Sequence, residues 1–96
     1  MYKLVPTKSF DKHYQKLIKR NNELGERFIN IFEKLRNDPF QSSLKTHKVV
    51  SRNVGEAYST SVTGDLRIIW HFDKEKILMI ILLGIGGHSG SKRVYK

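Results

Sequence analysis

Two histidines, one arginine and a group of lysines are the residues of this sequence best suited to chemistry. His47 sits in Lys45-Thr46-His47-Lys48, and His88 follows Gly86-Gly87. Imidazole is the side chain that exchanges protons between about pH 5 and 8, so either could act as base or acid. Arg67 lies in Leu66-Arg67-Ile68-Ile69-Trp70-His71-Phe72, where strand alternation groups it with His71, away from Leu66, Ile68 and Trp70. Its guanidinium is permanently charged and forked, which suits a phosphate. Cleavage of RNA through the 2′-hydroxyl calls for a base on that hydroxyl, an acid on the leaving oxygen and a cation on the phosphorane. On residue types alone this is one possibility among several. A solvated basic surface also displays loop histidines and an exposed strand arginine.

Metal chemistry has little to build on. There are no cysteines, no histidine pair has helical ligand spacing, and no carboxylate cluster completes a site, so neither metal nor cofactor is expected. The glycines before His88 allow close approach of backbone to a ligand, but they match no glycine-rich phosphate fingerprint. His13 falls on the polar side of a helix and reads as surface.

Charge frames these residues. The 96-residue chain carries 18 Lys+Arg against 9 Asp+Glu, a formal charge of +9. Such a balance points to a polyanionic partner: nucleic acid, an acidic lipid face or an acidic protein. The surplus is +7 over residues 1–53 and +2 over 54–96. Two stretches hold bases and no acids. One is Lys45 to Arg52, with Lys48 inside it; the other is His88 to Lys96, with Lys92 and Arg93. The apolar fraction of 39% is that of a globular chain, and the length bounds it to one domain, residues 1–96. The opening residues are too few and too polar for a signal peptide, and Ile77–Ile85 is about half a membrane span. A cytoplasmic chain with no membrane association is expected.

The elements that must position the site follow from periodicity. Tyr2–Val5 reads as an edge strand ending at Pro6. Thr7 and Ser9 are both N-cap candidates, and Phe10, Tyr14, Leu17 and Ile18 mark one face of a helix. Asn21-Asn22 breaks it. Leu24, Phe28, Ile31 and Leu35 mark a second helix that stops at Asn37-Asp38-Pro39. Residues 40–53 read as a loop with a short strand at Lys48–Ser51. Glu56–Thr63 reads as a strand turning at Gly64-Asp65, and Leu66–Phe72 as a strand with one buried face. Ile77–Leu83 reads as a central strand, followed by a loose glycine/serine segment from Gly84 to Ser91. The fold class is α+β: an N-terminal strand and helical hairpin packed on one face of a small, mainly antiparallel sheet.

Three motifs, in this order, now resemble a known group. They are Leu44-Lys45-Thr46-His47-Lys48, then Gly64-Asp65-Leu66-Arg67-Ile68-Ile69-Trp70, then Gly84-Ile85-Gly86-Gly87-His88-Ser89. Together they resemble the RelE/ParE toxin superfamily, nearest its YafQ-type mRNA interferase branch, over nearly the whole chain. The resemblance implies a RelE-like fold and the toxin of a toxin–antitoxin pair, neutralised by a cognate antitoxin. It implies an endoribonuclease that cleaves mRNA at the ribosome and inhibits translation. By position it makes His47, Asp65, Arg67 and His88 the catalytic set, with Arg67 on the scissile phosphate. Lys45, Lys48, Arg52, Lys92 and Arg93 are expected to bind RNA, and Tyr95 to stack on a base. Two departures stand out: Ser61 occupies a position where the branch often has histidine, and Tyr95 lies seven residues after His88 where four is usual. Two other readings remain open. One is a ParE-like gyrase inhibitor of the same fold, and the other a basic nucleic-acid-binding module without catalysis.

Overall fold

The computed structural model describes residues 1–51 and 55–87. The chain runs β1 (Lys3–Pro6), α1 (Lys8–Ile18), α2 (Asn22–Asn37), a 3-10 turn (Ser42–Leu44), β2 (His47–Ser51), β3 (Gly55–Ser61), β4 (Leu66–Phe72) and β5 (Met79–Gly87). The strands form one sheet in the order β1-β5-β4-β3-β2. β2 to β5 are an antiparallel meander, and β1 lies parallel to β5. The expected α+β architecture is therefore present, with the helical hairpin as the crossover that carries the chain from β1 to β2 at the far edge of the sheet. No helix among the described residues is long and apolar enough to cross a membrane.

Of the two N-cap candidates, Thr7 caps α1. Its Oγ1 accepts from the Phe10 N–H at 3.2 Å and donates to the Leu82 carbonyl at 2.9 Å. One side chain thus starts the helix and ties it to β5. Asn21 caps α2 by accepting from the Leu24 N–H at 3.0 Å. The helical stripes meet the sheet through Phe10, Phe28 and Leu35, against Ile68, Trp70 and Ile80, all of them buried. Phe10, Tyr14, Phe28 and Phe32 add a run of ring contacts between α1 and α2.

Three expectations change. The last strand begins at Met79, not Ile77: Ile77 is 91% exposed and Leu78 sits at φ 62 in the hairpin turn. Gly84 to Gly87 are strand rather than loop, with Gly84 opposite Ile69 and Gly86 opposite Arg67. The ladder to β4 satisfies their backbone groups, which outweighs glycine's low strand preference. A Cβ at Gly84 would meet nothing within 4 Å, so the sheet face is open there. Finally, β4 is buried on both faces at its middle, because Ile69 is only 4% exposed.

The β4–β5 turn is closed by Asp73, whose carboxylate accepts from the Glu75 and Lys76 N–H groups at 2.8 and 2.9 Å. The Lys76 amide first, then that of Glu75, holds the Asp73 carboxyl below its ordinary 3.8. Because the folded value is depressed, its contribution to stability is full above the unfolded value and is lost as pH falls through the folded one. Denaturant titrations on acidification should show Asp73→Asn losing part of the wild-type dependence in that acidic window and none near neutrality.

Candidate nucleic-acid interface

Register places the site. His47 pairs with Ser59, which pairs with Ile69, which pairs with Gly84; in the next row Ser61 pairs with Arg67 and Arg67 with Gly86. Directly paired residues point to the same side of a sheet. His47, Ser59, Ser61, Arg67, Ile69 and His71 therefore share the face turned away from the helices. Strand spacing and rise put the Cα atoms of His47 and Arg67 about 12 Å apart. Arg67 is half-buried and His47 exposed.

The imidazole of His47 has a set orientation. Its Nδ1 lies 3.2 Å from the Lys45 carbonyl. A carbonyl oxygen can only accept, so the neutral ring carries its proton on Nδ1 and leaves the Nε2 lone pair available as a base. Lys45 presents that carbonyl from the left-handed region, at φ 51, where it ends the 3-10 turn with its N–H on Ser42.

A chain of hydrogen bonds leading out from the core anchors this corner. The Trp70 Nε1–H donates to Thr60 Oγ1 at 2.8 Å, Thr60 and Thr46 hydroxyls are 2.7 Å apart, and Thr46 donates to the Pro39 carbonyl at 2.7 Å. Thr46 has spent its only proton on Pro39, so Thr60 must donate to Thr46. The direction is fixed from Trp70 through Thr60 and Thr46 to Pro39, and it holds the residue before His47 against the core. Thr60→Val would leave the Trp70 donor and the Thr46 acceptor unsatisfied, at a cost of about 1–3 kcal/mol. Thr60→Ser should recover most of that in urea denaturation.

The other expected site residues fall as follows. Asp65 is exposed in the turn directly before β4, where Thr63 Oγ1 accepts from its N–H at 3.1 Å. Ser61 donates to the Thr63 carbonyl at 3.0 Å, so its hydroxyl is committed to shaping that turn. Lys45 is exposed beside His47. Lys48, expected with Lys45 to bind RNA, is opposite Tyr58, hence on the helix side of β2, and lies 3.8 Å from Glu56. Adjacent strand residues point to opposite faces, so His47 and Lys48 cannot share one. Arg52, His88, Lys92, Arg93 and Tyr95 lie outside the described residues.

A groove of about 560 Å³ runs between α2 and the β3–β4 turn. Arg27, Lys34 and Lys45 bring positive charge to it, Glu23 and Glu26 bring negative charge, and Ser61 and Thr63 form its sheet side. Arg27 and Lys34 were not foreseen. Their seven-residue spacing puts them on one face of a helix, but only the docking of α2 over the turn brings that face to Ser61.

No family model matches the sequence, and no curated relative does. Solved structures match over almost the whole chain. A YoeB/ParE toxin from Agrobacterium tumefaciens superposes with a TM-score of 0.73 at 16% identity, covering 90% of this chain and 98% of that one. A metal-bound toxin from Helicobacter pylori gives 0.73 at 21%, covering 94% and 98%. The E. coli DinJ–YafQ complex gives 0.68 at 16%, covering 94% and 97%. The chain has the YoeB/ParE/YafQ toxin fold. The RelE/ParE resemblance seen in three sequence motifs is thus matched by the whole architecture, at identities where the likeness is one of fold. Within this toxin fold, the described residues contain no group of three His, Cys, Asp or Glu side chains that could hold a metal.

Proposed function

We propose that the chain is the toxin of a toxin–antitoxin pair and an endoribonuclease that cleaves mRNA at the ribosome. The observation that carries this reading is the common sheet face of His47 and Arg67, a base with a free Nε2 and a forked cation. In the reaction the base takes the 2′-hydroxyl proton and O2′ bonds to the adjacent phosphorus. The phosphorus–O5′ bond then breaks, and an acid protonates the departing oxygen. The products are a 2′,3′-cyclic phosphate and a 5′-hydroxyl.

His47 serves as the base in this scheme and His88 as its acid partner. Arg67 neutralises charge building on the phosphorane, and Asp65 orients the reacting groups. Lys45, joined by Arg27 and Lys34 of the groove, tracks the RNA backbone. Arg52, Lys92, Arg93 and Tyr95 complete the expected RNA contacts. The partner is a cognate antitoxin, as DinJ is found with YafQ, and its acidic segments would compete with RNA for the same basic face.

The test is induction of wild type and His47→Ala in cells, with mRNA ends mapped and plasmid supercoiling assayed together. Histidine-dependent new mRNA ends are expected. Altered supercoiling with intact mRNA would replace this reading with the gyrase-directed one, and no effect on either would leave a binding module.

A further inference from the structure

The groove between α2 and the β3–β4 turn has two unlike ends. Along α2, Glu23 and Glu26 line its start and Lys34 its finish. The 3-10 turn is tied to that basic end, since Gln41 Nε2 donates to the Lys34 carbonyl at 3.0 Å and Lys45 ends the turn. Glu26 and Lys34 lie about 12 Å apart along the helix. Arg27 pins the middle by donating to the Val62 carbonyl at 3.4 Å, and buried Ile31 and Val62 close the floor.

The helix dipole favours acids early and bases late, so the order of charge along α2 needs no ligand. The gathering of those charges around one space does. Glu33 and Arg36, the other charged residues of α2, pair with each other at 3.3 Å and do not line the groove. Glu23, Glu26, Lys34 and Lys45 border one volume of about 560 Å³, and neither ion pair among the described residues includes any of them. Opposite charges are thus held apart across a space of small-molecule size.

An occupant must match both ends. A carboxylate only accepts, so the acidic end calls for N–H donors, and the ammonium end calls for an anion. A run of phosphates or an acidic peptide would meet Glu23 and Glu26 with like charge. A nucleotide carries the required pair of poles, with phosphate at one end and the base edge at the other. Asn30, one helical turn from Glu26, adds an amide that both donates and accepts. The groove also adjoins the open sheet face. Ser61 in its wall is paired with Arg67, and Lys45 at its basic end meets the His47 ring through its carbonyl. The end suited to phosphate is therefore the end beside His47.

We propose that this groove is a base-reading subsite for the nucleotide next to the cleaved bond. Lys34 and Lys45 take its phosphate, and Glu26 and Asn30 meet its base edge. Glu26 accepts from an exocyclic amine, as carboxylates do from cytosine N4, and repels the oxygen that uracil carries in its place. The subsite selects amine-bearing bases over uracil. Its place beside the reaction rests on the cleavage reading, while its binding chemistry does not.

The test titrates cytidine and uridine 5′-monophosphates into the full chain and follows backbone amides and the Asn30 side-chain amide by NMR. The two ligands share phosphate and ribose and differ at the base edge. Neither has a bond that 2′-hydroxyl attack could break, so the result is separate from that of the cleavage tests. Cytidine monophosphate should shift residues lining the groove and bind several-fold more tightly than uridine monophosphate. Glu26→Gln should narrow that ratio, because an amide N–H can meet the uracil oxygen. Lys34→Gln should weaken both ligands by the same factor. Equal binding of the two ligands, an unchanged ratio in Glu26→Gln, or no shifts at the groove would overturn the proposal. So would a blocked Glu-Lys dipeptide that shifts the groove where the nucleotides do not, which would make it a protein-docking surface.

Discussion

Arg67→Gln should lower RNA cleavage by about 10²–10³-fold, the loss typical of removing one donor from a developing oxyanion. The position carries that expectation because Arg67 leaves the sheet on the face of His47 and opposite Gly86, which has no side chain to compete for the space above it. Arg67→Lys should recover little, since an ammonium keeps the charge and loses the planar fork. Single-turnover cleavage in a translating extract measures the effect. Thermal melts run beside it separate lost chemistry from lost fold, because Arg67 is half-buried. Cleavage at the wild-type rate in a folded Arg67→Gln protein would remove Arg67 from the reaction.

Phe28→Ala should be the most damaging substitution in the helical layer. Phe28 is fully buried, meets Tyr14 edge-on at a ring distance of 5.1 Å and tilts against Phe32 at 5.8 Å. Truncating a buried phenylalanine costs about 3–5 kcal/mol. Against a total of roughly 5–15 kcal/mol for a domain, that is about a fifth of the stability or more. The melting temperature should drop by at least about 12 °C. Ile29 gives the control: it is the next residue and 58% exposed, so Ile29→Ala should stay within about 0.5 kcal/mol. A similar loss at both positions would contradict the assignment of the helix face.

The elements with a clean period were legible from sequence alone. α1 and α2 declared their buried stripes through Phe10 and Phe28, and β4 declared its core side through Ile68 and Trp70. Those signals are local, because one face of each element is apolar. What escaped depended on pairing. Gly84 to Gly87 have the composition of a loop, and only the ladder to β4 makes them strand. Ile69 looked like part of a solvated face, yet it is only 4% exposed. Ile77 looked central because it opens an apolar run, while the turn around Asp73 holds it outside the sheet. Lys48 was grouped with His47 by composition, and the pleat of β2 separates them.

The site divides in the same way. His47 and Arg67 were nameable from side-chain chemistry and position in the motifs. Their common face needed the His47–Ser59 and Ser61–Arg67 pairings. Nothing local marks the Trp70–Thr60–Thr46–Pro39 chain, whose members are spread over 32 residues of sequence. Arg27 and Lys34 join the groove only through the docking of α2.

The most direct measurement of the central claim is the chemistry of the ends left on a cleaved message. Wild-type protein is added to a translating extract, and the termini of new fragments are characterised. Attack by the 2′-hydroxyl predicts a 2′,3′-cyclic phosphate on one fragment and a 5′-hydroxyl on the other, both absent when His47→Ala replaces wild type. Fragments ending in 3′-hydroxyl and 5′-phosphate, or the same fragments from His47→Ala, would contradict it.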